Sequence, residues 1–258
     1  MATTPSIKKI TLIGAGNVAT QLGTALHKAG YAIQQVYSPS AKSASILAKR
    51  INAQAITDLK NLDTTAAIYI IAIKDDAIAT LAKQLSFNEQ VVVHTSGSVE
   101  MSVLKNTSKN YGVFYPLQTF SKTKAVDFKT VPICIEASNK STTALLKRFA
   151  KTISNDVQEI DSRQRKILHI GAVFACNFTN HLYAIADAFL GKHQLSFNLL
   201  KPLIAETADK IKQHDPASMQ TGPAIRNDKK TMDVHIKLLA ADKDLKTIYK
   251  LLSNHIRK

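Results

Sequence analysis

The sequence predicts a doubly wound α/β domain with a mainly parallel sheet over residues 1–160, followed by an all-α domain over residues 161–258. Three observations carry this. Up to Ile160, short apolar runs of strand length alternate with helical patterns, the arrangement of a parallel sheet covered on both faces. The first run leads straight into Gly14-Ala15-Gly16-Asn17-Val18-Ala19, a G-x-G-x-x-A turn that opens a helix. After Ile160 no strand pattern recurs and the apolar spacing is helical.

Residues 8–14 read as the first strand. Val18, Leu22, Ala25 and Leu26 share one face of the helix that follows, and Gly30 ends it. In the turn between them Gly14 permits the tight bend, Gly16 lets the backbone approach a pyrophosphate, and Ala19 lets helix and strand pack closely. Asn17 and Val18 lie at the helix start, where free N–H groups face phosphates. A dinucleotide cofactor is therefore expected. Residues 31–37 form the second strand, whose end selects between cofactors. NAD sites usually carry an acid there, for the ribose 2′-OH. This chain has no acidic residue before Asp58; the strand ends Tyr37-Ser38-Pro39-Ser40-Ala41-Lys42. Hydroxyls of Ser38 and Ser40 and the ammonium of Lys42 suit a 2′-phosphate, so NADP(H) is the expected cofactor. Ser40 is equally suited to cap a helix over 41–52.

Residues 53–56 read as a short third strand. Residues 66–73, AAIYIIAI, are continuously apolar, as a central strand buried on both faces must be. Ala72, near its end, and Lys74 fall where a cofactor would pass. Asp75 or Asp76 is expected to cap the helix to Leu85. The strand over 90–93 ends in His94-Thr95-Ser96-Gly97-Ser98, again at the C-terminal edge where ligands gather in such sheets. Ser96 offers a hydroxyl and a backbone N–H to a substrate oxygen, His94 a proton, and Ser98 a cap for a helix over 99–105. Strands over 111–115, 131–136 and 157–160 and a helix over 141–153 complete the domain.

Asp161-Ser162-Arg163-Gln164 is a capping-box signature. It opens a helix running to about Leu190 and ended by Gly191. Apolar residues nearly surround this helix, from Ile167 through Phe174 and Phe178 to Phe189, which predicts a central, buried element. At ~100° per residue, His169, Cys176, Asn180 and Asp187 fall on one line, with Asn177 and His181 beside it. Such polar groups either bond neighbouring helices or face a polar cleft. Helices over 198–213, 229–241 and 243–256 follow. The loop between the first two holds Gly222-Pro223-Ala224-Ile225-Arg226-Asn227-Asp228, where Asp228 is placed to cap and Arg226 to hold a carboxylate or to pair with Asp228.

The net charge is +15, but the two halves carry 18 basic against 10 acidic and 16 against 9 residues, so the excess is even. With no long basic run and no aromatic stacking motif, nucleic acid is not an expected partner. No apolar run reaches the ~20 residues of a membrane span, residues 1–6 lack a signal-peptide core, and Cys134 and Cys176 have no metal-ligand spacing. A cytoplasmic protein with reduced thiols and a small-molecule substrate is expected.

The turn and the helical second half together resemble the superfamily of 3-hydroxyacid dehydrogenases, ketopantoate reductase, pyrroline-5-carboxylate reductase and prephenate dehydrogenase. More closely, residues 94–98, 114–120, 174–178 and 222–228 are similar to the family of Rossmann-like oxidoreductases with a C-terminal domain of unknown function. The resemblance implies a Rossmann domain, an all-α domain of the 6-phosphogluconate-dehydrogenase C-terminal type, NADP binding, and a homodimer through the C-terminal helices. It implies no substrate. The catalytic lysine of the dehydrogenases has no counterpart: between Lys166 and Lys192 there is none, and Cys176 stands four residues before Asn180. The expectation is an NADPH-dependent reductase of a small carbonyl or imine compound bearing a carboxylate. His94, His169, His181 or a water on Asn177 and Asn180 would give the proton, the Ser96-Gly97 turn and Asn177 or Asn180 would bind the polarised atom, and Arg226 would anchor the acid. A non-catalytic NADP(H)-responsive protein on the same fold is the alternative.

Overall fold

The computed structural model describes residues 9–258; Lys8, read as the first residue of a strand, and residues 1–6 lie outside them. The sheet orders its strands β3-β2-β1-β4-β5-β6-β7-β8. They are β1 Lys9–Ile13, β2 Ala32–Tyr37, β3 Gln54–Ile56, β4 Ile68–Ile71, β5 Val91–His94, β6 Asn110–Pro116, β7 Ile133–Ala137 and β8 Val157–Glu159. All neighbours pair in parallel except β6 and β7, which run antiparallel with Pro116 opposite Ile133. Order 3-2-1-4-5-6 reverses direction between β1 and β4, which opens a crevice at their carboxyl ends.

Branched apolar residues make the centre of this sheet, as in Ile68–Ile71 and Val91–Val93. β4 and β5 are buried on both faces, hence their unbroken apolar runs. One face packs on Leu22 and Leu26 of α1, Asn17–Lys28, on Leu47 of α2, Ala41–Arg50, and on Leu146 and Phe149 of α4, Lys140–Lys151. Ile78 and Leu81 of α3, Asp75–Ala82, cover the other. Tyr31 meets Phe149 edge-on at 5.1 Å.

Local chemistry departs from the sequence expectations at two ends. Lys74, not an aspartate, occupies the cap position of α3; Asp75 and Asp76 sit in its first turn, where the helix dipole favours them. Ser98 caps no helix. Only a short 3₁₀ turn, Met101–Leu104, follows, and the Ser98 hydroxyl instead donates to Asp75 at 2.5 Å.

After the sheet, the Asp161–Gln164 capping box forms as read and starts α5, Ser162–Ala172. The helical path then widens into a π turn, Val173–Phe178, and resumes as α6, Thr179–Lys192, passing Gly191. The expected burial of this path is not found. From Val173 to Lys192 no residue is buried, and Ile170 and Phe174 are 58% and 65% exposed. Apolar residues all round a helix signal a covered helix, and among the described residues the Val173–Lys192 stretch keeps its side chains at least partly exposed.

By compactness the chain divides after Asn180. The second unit contains α7 Lys201–Lys210, α8 Lys229–Leu238 and α9 Lys243–Ile256. Asp228 caps α8 through the Thr231 amide, and His235 bonds the Tyr249 hydroxyl at 2.8 Å between α8 and α9. Among the described residues no helix is long and apolar enough to cross a membrane.

Candidate functional site

A cleft of about 1400 Å³ opens at the carboxyl ends of β1, β4, β5 and β6, with walls drawn entirely from the first unit. Its floor is the turn after β1. Gly14 has φ +125°, and a Cβ there would fall 2.2 Å from the Ala72 carbonyl oxygen, so the first glycine is required by backbone packing. Gly16 differs. A Cβ on it would meet no atom within 4 Å and would enter the cleft. The packing of the fold does not call for a glycine there, and its lack of a side chain leaves the cleft open to a ligand. Gly16 also caps α1 without a side chain, so the first amides of the helix stay free for an anion. Ala19 is fully buried against the sheet, as close packing requires. The turn thus fits a dinucleotide's diphosphate.

Ala72, Ile73 and Lys74 continue the wall from β4. At the end of β2 stand Tyr37, Ser38, Pro39 and Ser43. Ser40 and Lys42, expected there, do not line the cleft; the Ser40 hydroxyl caps α2 by accepting the Ser43 amide. Ser43, in the first turn of α2, lines the cleft where the linear order pointed to Ser40.

Beyond β5, Thr95, Ser96 and Gly97 reach the cleft. The Ser96 hydroxyl accepts the amides of Ser98 and Val99 at 3.1 and 3.0 Å and so shapes the turn. His94 does not reach the cleft. It is fully buried, its Nδ1 accepts the Ser96 amide at 3.2 Å, and its Nε2 has no hydrogen-bond partner among the described residues. Burial, reinforced by the nearby Arg165 guanidinium, lowers its pKa to about 4. A neutral, enclosed imidazole shapes the loop and cannot exchange protons with a ligand.

The imidazole that does line the cleft is His169, on α5. Its Nδ1 lies 3.2 Å from the hydroxyl of Tyr115, near the end of β6, and the rings meet edge-on. Gly97 makes this approach possible: a Cβ there would sit 2.7 Å from His169 Nδ1 and 2.9 Å from Tyr115 Cζ. Burial, then the proximity of Cys134 and Asp75, pushes the Tyr115 pKa up to about 12, so its hydroxyl stays protonated.

The base of α5 is fixed by a buried ion pair. Arg165, 1% exposed, bonds Glu136 of β7, which also accepts the Ser162 hydroxyl at 2.8 Å. Arg165 reaches the Val99 carbonyl and Ser162 too, so one guanidinium ties helix, sheet and the loop after β5. This positions His169 one turn further on.

Ala175, Cys176 and Asn177 of the π turn complete the wall. Asn180 does not line it. A π turn holds one residue more than an α turn, which slips the helix phase by about 100° and breaks the line drawn from His169 to Asn180. His181 and Arg226 belong to the second unit, where Arg226 is exposed and forms no ion pair among the described residues.

The sequence reading does not pick out Tyr115 and Thr95 as site residues. The signal for Tyr115 was present: a tyrosine closing a strand at the ligand edge, directly before Pro116.

Residues 131–256 match the family described as a domain of unknown function (DUF2520), and residues 2–118 match a Rossmann-like domain. No curated protein matches the chain in sequence. Among solved structures, a presumed NADP oxidoreductase from Bacteroides fragilis is 47% identical, with TM-score 0.93 and coverage of 98% of this chain and 99% of that one. Protein TM1727 from Thermotoga maritima is 21% identical, with TM-score 0.81 over 96% and 98% of the two chains. A pyrroline-5-carboxylate reductase from Coxiella burnetii shares the fold at 14% identity and TM-score 0.60, over 98% and 100%.

Proposed function

The chain belongs to the family in which a Rossmann-like domain precedes a DUF2520 domain, and from that premise we propose that it is an NADPH-dependent oxidoreductase acting on a small carbonyl or imine compound. One observation carries the reading. A single cleft joins a phosphate-fitting turn at Gly14–Val18 to a polar cluster of Ser96, Tyr115, His169 and Asn177. The names of similar structures, among them an imine reductase and a reductive aminase solved with NADPH, support the reaction class.

Gly16 and the uncapped amides of α1 hold the diphosphate. Ser38, just after β2, and Ser43, in the first turn of α2, take the 2′-phosphate, and the absence of a carboxylate at that end of the described cleft favours NADPH over NADH. NADPH, when bound, supplies a hydride. The protein supplies the proton. With Tyr115 protonated in the resting site, its O–H is assigned as donor to His169 Nδ1 and the ring proton to Nε2; as the Nε2 proton passes to the substrate atom the Tyr115 proton moves to Nδ1, so the ring stays neutral and the phenolate is reprotonated from solvent. Asn177 holds the polarised oxygen or nitrogen through its side-chain amide. Lys74 gives the cleft a cation suited to a substrate carboxylate.

The exposed apolar residues of α5 and the π turn support a homodimer in solution, since so large an uncovered apolar face marks an interaction surface. Phe174→Glu would then give a monomer in sedimentation velocity.

Stopped-flow absorbance of NADPH against a panel of keto acids, aldehydes and cyclic imines tests the activity. Oxidation by a panel member that is lost in His169→Gln supports the assignment. Tight NADPH binding with no turnover of any member would instead favour a cofactor-responsive binding protein.

A further inference from the structure

We propose that residues 117–124 form a strap belonging to the dinucleotide site, in which Lys122 is the cation for the diphosphate and Asn17 and Gln21 hold the strap in place. The proposal rests on the cofactor reading above. It starts from the strand reversal. Because β7 runs antiparallel to β6 and begins opposite its end, the chain between them never leaves the ligand edge of the sheet.

That connection is laced to α1, the helix of the phosphate turn. The Asn17 side-chain amide donates to the Phe120 carbonyl at 3.0 Å. Gln21, only 7% exposed, donates to the carbonyls of Ser121 at 2.5 Å and Lys124 at 2.9 Å. The Ser121 hydroxyl accepts the amides of Thr123 and Lys124 and closes the tip on itself. Phe120 stacks on Phe128 at 5.5 Å and 12°. The main chain is thereby fixed, and it brings Thr119, Phe120 and Lys122 into the same wall as Gly14–Val18.

Charge gives the strap its purpose. A diphosphate carries two negative charges, and a helix N-terminus answers with roughly half a positive charge. The first turn of α1 contributes no basic side chain. The cleft's cations are Lys74, beyond β4, and Lys122, on the strap; Lys122 has no ion-pair partner among the described residues. Asn17 sits inside the fingerprint, yet its side chain faces the strap's backbone, so its role is to seat Lys122. Gln21, one turn on, is a buried amide whose hydrogen bonds all go to the strap.

The test is equilibrium titration of the full chain with NADPH and, separately, NADH, followed by nicotinamide fluorescence. Lys122→Gln should weaken both about tenfold and reduce the salt dependence of binding, because the diphosphate is common to both. Lys122→Arg should restore most of the loss. Hydrogen exchange of amides 118–124 in the wild type should slow when NADPH binds, and Gln21→Leu should abolish that slowing. Equal affinity of Lys122→Gln and wild type overturns the strap while leaving the cofactor reading intact. A loss confined to NADPH would assign Lys122 to the 2′-phosphate and overturn the proposal. Failure of the wild type to bind either nucleotide overturns the cofactor reading and the strap together.

Discussion

Replacing Gly16 by alanine separates a ligand's demand from the fold's. No atom lies within 4 Å of the added methyl, so the apo protein has room for it. Alanine is a poorer cap than glycine, but it restricts the unfolded chain by about 0.4–1 kcal/mol, and the two effects nearly offset. Stability should stay within about 1 kcal/mol of wild type. The methyl instead occupies the space a diphosphate needs. Forcing the phosphate away from α1 removes one or two charge-assisted hydrogen bonds of about 1.5–3 kcal/mol each. NADPH should bind at least tenfold and up to several hundredfold more weakly, at about 1.4 kcal/mol per factor of ten. Gly14→Ala is the counterpart. With φ +125° and a Cβ 2.2 Å from the Ala72 oxygen, it should destabilise the fold itself by about 1–3 kcal/mol from strain alone. The assays are urea denaturation of each apo variant and fluorescence titration with NADPH. A Gly16→Ala protein that is well folded and binds NADPH like wild type would refute the reasoning. So would one that fails to fold.

Three further outcomes follow from the first unit. Gly97→Ala should push the His169 and Tyr115 rings apart by about 0.7 Å to reach ordinary contact, costing about 1–3 kcal/mol in urea and breaking their hydrogen bond, visible in the His169 nitrogen shifts. Glu136→Ala should cost about 3–5 kcal/mol by leaving Arg165 buried and unpaired, while Glu136→Leu with Arg165→Met should recover most of it; equal stability of single and double variants would contradict this. His94 has a folded pKa near 4 against about 6.5 unfolded, so the neutral form belongs to the fold. Its contribution is complete above pH 6.5 and falls by about 1.4 kcal/mol per pH unit from there to about 4. His94→Asn, which keeps an acceptor for the Ser96 amide, should flatten that part of the stability–pH profile.

The sheet was legible because its signals are local. A run such as AAIYIIAI or a G-x-G-x-x-A turn specifies strand, turn and helix within a few residues, and the cofactor floor follows from it. The polar end of the cleft was only partly legible. His94 looked catalytic because it follows a strand, but the next turn folds its own amide onto the ring and seals it. Tyr115 and His169 lie 54 residues apart in sequence, and what joins them is a missing Cβ at Gly97. The line from His169 to Asn180 assumed constant helical phase, and a π turn has no strong sequence mark. The buried helix was misjudged for a different reason. Apolar periodicity reports that a face wants cover, not which molecule provides it.

The reversal of β7 has a consequence for how such a protein can change over generations. In a wholly parallel sheet, each connection must cross back to the far edge, so geometry sets it a minimum length of about a dozen residues. The β6–β7 connection makes no such crossing. Residues can be gained or lost there without rethreading β1 to β5 or moving the turn at Gly14. Relatives with different ligands should therefore differ most in length between Pro116 and Ile133, where variation costs the fold least and changes the cleft most.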